Sequence, residues 1–152
     1  MAYVTAEARQ HLLDAVAQAI DQLGVAVAAV GDAHELLDEV TADRLERELF
    51  RPLQTAYGRG QRTHAEFAAR HGLPTKTFEP GPPGASSRGV DGFLDGAVRA
   101  VGEADGALAR LQDSMLPVEV GDAELRAALA EMRRLIGDLP GRARRFARLR
   151  GR

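Results

Sequence analysis

The chain has 152 residues, 45% of them hydrophobic and 28% charged, with no Cys, no Trp and a formal net charge of −2. That length suits one domain able to bury about two-thirds of the surface its unfolded form exposes. Without Cys, disulfide scaffolds and thiolate metal sites are excluded, and the redox compartment is unreadable.

The opening MAYVTAEARQ lacks a basic patch followed by an apolar stretch, and the longest wholly apolar run is Val25 to Val30, against the roughly 20 residues of a membrane span. A soluble, cytoplasmic protein with no transmembrane segment is expected. Ala occurs 27 times and Arg 19 times against a single Lys, Lys76, a bias that reads as bacterial high-GC coding rather than as function. The small net charge hides an asymmetry. Residues 1–50 hold ten acids and three bases, residues 90–140 ten acids and five bases, and residues 141–152 six Arg and no acid. An acidic body with a basic tail suggests an interaction arm.

Periodicity is the strongest signal. Leu13, Val16, Ile20, Leu23, Val27, Val30, His34 and Leu37 alternate steps of three and four, which keeps one seam facing a partner helix. A first helix is expected over about 5–40, capped by Thr5; the competing reading breaks it at Gly31-Asp32, where Asp32 and Glu35 form a capping box. A second helix, about 42–71 and capped by Thr41, carries the inward stripe Leu53, Tyr57, Gly60, His64, Phe67 and His71. Pro52 should bend it, and Gly72 should end it. Residues 73–88 hold four Pro and two Gly without a period, and are long enough to let the next helix run either way, with Phe78 pinning the loop. A third helix, about 88–115, repeats the seam through Val90, Leu94, Ala97, Val101, Ala104, Leu108, Leu111 and Met115. A fourth runs from an Asp122 cap over about 122–139, and Pro140-Gly141 closes it. The fold class is all-α, a four-helix bundle of long heptad-patterned helices over residues 1–140, with the Pro/Gly-rich loop between helices two and three and an Arg-rich arm at 141–152.

Catalytic chemistry is poorly represented. No Glu-x-x-His, Gly-x-Ser-x-Gly, phosphate-loop, dinucleotide or His-Glu-x-x-His motif occurs, so no catalytic residue, metal or cofactor is assigned. Folding the first two helices about Thr41 places residue 41−k near 41+k, so His64 should meet Val16 to Ile20, His71 should meet His11, and His34 should meet Glu48. Tyr57, Gly60, His64 and His71 are the candidate ligand-binding residues: the glycines leave room beside Tyr57 and His64 for an apolar cleft with a few polar groups. Read blandly, the two histidines are satisfied core-edge residues. Gly92, Gly96 and Ala100 step by four on the third helix, and glycine costs helix stability, so either tight internal packing or a helix-binding interface is expected. Arg142, Arg144, Arg145, Arg148 and Arg150 offer guanidinium donors for a polyanion, or else pair with the acids of the body while Phe146 docks.

Three functional readings follow. The first is a non-enzymatic helical protein acting through protein–protein association, as a homo-oligomer or adaptor. The second is a small-ligand or metal-binding helical protein centred on Tyr57, His64 and His71. The third is a nucleic-acid accessory protein using the arginine arm.

Overall fold

The computed structural model describes residues 2–81 and 89–150, with side chains from residue 4 onward. The chain is all-helical: α1 (Ala2–Glu35), α2 (Glu39–Leu45), a π-helical turn (Glu46–Phe50), α3 (Arg51–His71), α4 (Gly89–Asp113), the single turn α5 (Leu116–Glu119), α6 (Ala123–Ile136) and α7 (Leu139–Arg150). The helix α2, the π turn and α3 form one uninterrupted run. With that run taken as one and α5 set aside, the described residues form five helices, one more than expected, because the arginine segment is itself a helix. The proline-rich residues 82–88, including the expected start of the third helix, and the last two residues of the arm lie outside the described residues.

In α1 the expected seam, Leu13, Val16, Ile20, Leu23, Val27 and Val30, is buried. A second row beside it, Leu12, Ala19, Ala26 and Ala33, repeats every seven residues and is fully buried. Two adjoining rows make a face wide enough for two neighbours, and α1 packs on both α3 and α4, most extensively on α4. The alanines on both sides let these backbones approach closely. The helix Val4–Glu35 holds an 18-residue window with a mean hydropathy of 1.4, long and apolar enough to cross a membrane, yet 61% of that window is buried inside the structure, as in a core helix.

Helix ends differ from expectation where side chains compete for the caps. Because α1 is already helical at Ala2, Thr5 is not its cap; the helix passes Gly31-Asp32 unbroken and stops at Glu35. Asp38, not Thr41, caps α2, accepting hydrogen bonds from the Thr41 amide at 2.9 Å and the Thr41 hydroxyl at 3.0 Å. Gly72, at φ 65°, closes α3 in the left-handed conformation that favours glycine. Asp122 caps α6 through the Leu125 amide. Met115, expected in the α4 seam, lies beyond the helix and is exposed.

Pro52 does more than bend the axis. It cannot donate to the Glu48 carbonyl, and the turn before it widens so that the Arg51 amide bonds back to the Glu46 carbonyl. The Glu48 carbonyl instead accepts Arg142 Nη1 of α7 at 3.3 Å. The proline thus exposes an acceptor on which the C-terminal helix docks.

Opposed pairs set the directions. Tyr57 stands over Gly24, Phe50 over Gly31 and Ile20 over Gly60, the antiparallel register expected for a fold about residue 41. Near the start of α1, Arg9 bonds the Val120 carbonyl, beyond the far end of α4. At the other end Val30, Leu49, Leu94 and Ala97 line one small apolar cavity of about 20 Å³. So α4 is antiparallel to α1 and parallel to α3, and the chain must travel back along the molecule between them. Residues 73–81 begin that return as an extended strap over α1. In turn α6 runs antiparallel to α3, as Arg70 with Asp122 and Gly60 with Met132 show.

Candidate functional site

The strap makes the site. Lys76 Nζ lies 3.1 Å from the Asp21 carboxylate and 5.0 Å above the Phe78 ring. Phe78 then packs against His64 with the two rings nearly perpendicular and their centroids 5.1 Å apart, so it pins the strap as expected. Between the strap and α1 an open groove of about 420 Å³ is lined by Gln10, Asp14, Gln18, Asp21, Thr75 and Lys76, with His64 of α3 at its floor.

His64 is only 2% exposed, and its Nδ1 is enclosed without a hydrogen-bond partner. Burial, reinforced by the Lys76 ammonium, pushes its pKa below the usual 6.5 against the opposing pull of Asp14 and Asp21, so the ring is neutral at pH 7. Two turns earlier on the same face, the Tyr57 hydroxyl is also buried and unpartnered. Burial first, then the charges of Asp21 and Glu79, raises its pKa. Buried polar groups are nearly always satisfied, so two orphans on one helix face beneath one strap call for an explanation. The seven-residue spacing separates them by about 10.5 Å along the axis, too far for a direct hydrogen bond.

The other expected ligand residues go elsewhere. A Cβ at Gly60 would lie 2.9 Å from Ile20 Cγ1 and 3.0 Å from Met132 Cε, so the room expected there is filled by α1 and α6. His71 takes a partner other than His11. Its Nε2 lies 2.9 Å from Asp122 Oδ2, and Arg70 holds the same carboxylate through two hydrogen bonds of 2.8 and 3.0 Å. Burial alone would raise the Asp122 carboxyl, but the hydrogen bonds from Arg70, the Leu125 amide and His71, with the Arg70 charge, hold it well below the usual carboxylate range. This cluster ties the end of α3 to the start of α6. His34 packs its ring against Phe50 at 6.0 Å rather than meeting Glu48.

The arginine arm is divided. Arg142 pairs with Asp138 and the Glu48 carbonyl, and Arg150 Nη1 lies 3.5 Å from Asp91. Fully buried Phe146 anchors α7, with the Arg44 guanidinium 4.7 Å over its ring. Arg144, Arg145 and Arg148 are exposed and carry no ion pair among the described residues. On α4, Ala100 is buried in the core and Gly92 is half-buried. Among the described residues, and apart from its own helix backbone, Gly96 has no atom within 4 Å of where its Cβ would stand, and neither has Gly102, so tight internal packing does not account for these two.

Asp14, Asp21, Gln10, Gln18 and Lys76 were not foreseen as site residues. The sole Lys of an arginine-rich chain was the one sequence signal pointing there. Among the described residues no group of three or more His, Asp or Glu could hold a metal ion. Compared with known protein families, curated proteins and solved structures, the chain matches none.

Proposed function

We propose that this chain is a small-ligand-binding helical protein without catalytic chemistry of its own, and that its site is the groove between α1, α3 and the strap. The observation that carries this reading is a polar groove floored by the buried ring of His64, whose Nδ1 has no hydrogen-bond partner, while the Tyr57 hydroxyl two turns away is likewise buried without one. A ligand that satisfies a buried polar group recovers the desolvation already spent on it, which makes such a floor selective. The test is nuclear magnetic resonance on protein labelled at His and in the backbone, titrated with the small-molecule fraction of a cell extract. Shifts confined to His64, the strap and residues 10–21 support the reading; no change there overturns it.

A second reading, association with a second copy of the chain through α4, is favoured by Gly96 and Gly102, which weaken their helix without any internal contact that needs them. Sedimentation velocity decides it: a dimer lost in Gly96→Leu supports the reading, and a strict monomer refutes it.

A further inference from the structure

We infer that the trough between α4 and α7 binds a short unbranched aliphatic carboxylate, with its tail on Leu94, Val98 and Ala147 and its head on Arg144 and Arg148. This site shares no lining residue with the strap groove and goes beyond the reading proposed for it.

The trough follows from how α7 lies. Arg150 Nη1 stands 3.5 Å from Asp91 at the start of α4, while Leu139 and Val101 line one cavity farther along, so α7 runs antiparallel to α4. Between those points α7 presents the small side chains Ala143 and Ala147, and an open volume of about 310 Å³ remains against Leu94 and Val98. That volume is within the range of small-ligand sites. It adjoins the apolar cavity of about 20 Å³, since Leu94, Val98 and Ala143 line both. The far wall of the cavity comes from Val30, Leu49 and Leu53, where the widened turn before Pro52 meets α1. Water gains little there, because a bound water needs polar partners and the lining side chains offer none, whereas the end of an alkyl chain needs none.

Three charged groups line the trough, Arg144, Arg148 and Asp95. All are exposed, and none carries an ion pair or hydrogen bond among the described residues. Arg144 and Arg148 are one turn apart on one side of α7, about 6 Å along its axis, so both guanidiniums can reach one carboxylate. The register that sets Arg150 beside Asp91 brings Asp95 near the level of Ala147 and Val98 near that of Ala143. Asp95 therefore offsets Arg148 more than Arg144, and Arg144, beside the mouth of the cavity, is the stronger anchor.

Charge and floor together select the class. A cation would meet two guanidiniums against one carboxylate. A small anion without a chain would gain only exposed charges, which contribute little in water, and would leave the apolar floor wet. A neutral chain would leave the arginines unanswered. An aliphatic carboxylate removes apolar surface from water along the trough and gives both guanidiniums one acceptor group.

Acetate, hexanoate, octanoate, octylammonium and octanol, titrated against the full chain below micelle-forming concentrations and at constant ionic strength, test this by calorimetry and by the methyl signals of Val98, Ala143 and Ala147. Octanoate is expected to bind saturably and move those signals, with hexanoate weaker by about threefold per methylene removed and acetate without effect. Arg144→Gln should weaken octanoate about tenfold, Arg148→Gln should weaken it less, and Asp95→Asn should tighten it. Arg145→Gln, an equally exposed charge outside the trough, should change it less than about twofold. All four positions are exposed, so these variants keep the fold, which unchanged urea unfolding checks. The assignment is overturned if octanol or octylammonium binds as tightly as octanoate, if Arg145→Gln matches Arg144→Gln, or if no probe moves those methyl signals. It is also overturned if phosphatidylglycerol vesicles sediment the chain while octanoate leaves the signals unmoved, because a membrane surface and not a free acid is then the occupant. The strap-groove reading is untouched by each of these results, since its own readout is His64.

Discussion

Two glycine-to-alanine substitutions should have opposite signs, although both sit inside long helices. In an unencumbered helix the change stabilises by about 1 kcal/mol, because alanine loses less backbone entropy on folding. At Gly96 nothing lies within 4 Å of the new methyl, so Gly96→Ala should deliver that full gain, which for a domain of this size raises Tm by about 3 °C. At Gly60 the methyl would stand 2.9 Å from Ile20 Cγ1 and 3.0 Å from Met132 Cε. Met132 Cε is the end of a flexible side chain, but Ile20 is fully buried and β-branched, so it has few rotamers to retreat into. Overpacking of this kind costs about 1–3 kcal/mol, which leaves Gly60→Ala about 1 kcal/mol less stable than the parent after the helical gain is subtracted. Urea unfolding measures both, provided the m-values stay equal. A Gly60→Ala variant stabilised as much as Gly96→Ala would refute the closure of α1 and α6 on α3. A destabilised Gly96→Ala would mean that its face is covered in solution.

Asp122→Ala removes the α6 cap and the carboxylate shared by Arg70 and His71, and should cost about 3 kcal/mol in chemical unfolding. Because the folded carboxyl lies below its ordinary 3.8, its contribution is whole above about pH 4 and fades as the pH falls further; the variant should lose less stability below that point than the parent does. His64 titrates in a different window. Its folded pKa is below the unfolded 6.5, so the stability tied to it is whole above pH 6.5 and declines as the pH falls toward the folded value, and His64→Gln should flatten the fall in Tm that begins below about pH 6.5. Phe146→Ala empties a fully buried site and should cost about 3–5 kcal/mol, whereas Arg145→Ala, on the exposed face of the same helix, should leave stability within about 0.5 kcal/mol. Equal effects of those two substitutions would show that α7 is not docked.

The helical class, the α1 and α4 seams, the Asp122 cap and the Gly72 stop were readable from residues alone, because each depends on local spacing or on a single backbone conformation. The fold about residue 41 was readable for the same reason: a short turn between two long helices leaves one antiparallel register. For α7 the residues alone left two readings open, a free polyanion-binding arm or a helix docked through Phe146 with its arginines on the body's acids. Only the third dimension supplies the Glu48 carbonyl, released by Pro52, and the slot that buries Phe146. The site divides along the same line. Tyr57 and His64 could be placed on an inward stripe, but Gly60 and His71 share that stripe and serve packing and an ion-pair cluster instead. A heptad says which face turns inward and not what fills the space opposite, since that depends on helices far away in sequence. The direction of α4 also waited for the tertiary structure: a long loop can return or turn back at little difference in entropy, so local sequence exerts no force on the choice. That choice lays the strap along α1, brings Lys76 to Asp21, and makes a groove from residues that, read along the chain, belong only to a solvated helix face and a proline-rich loop.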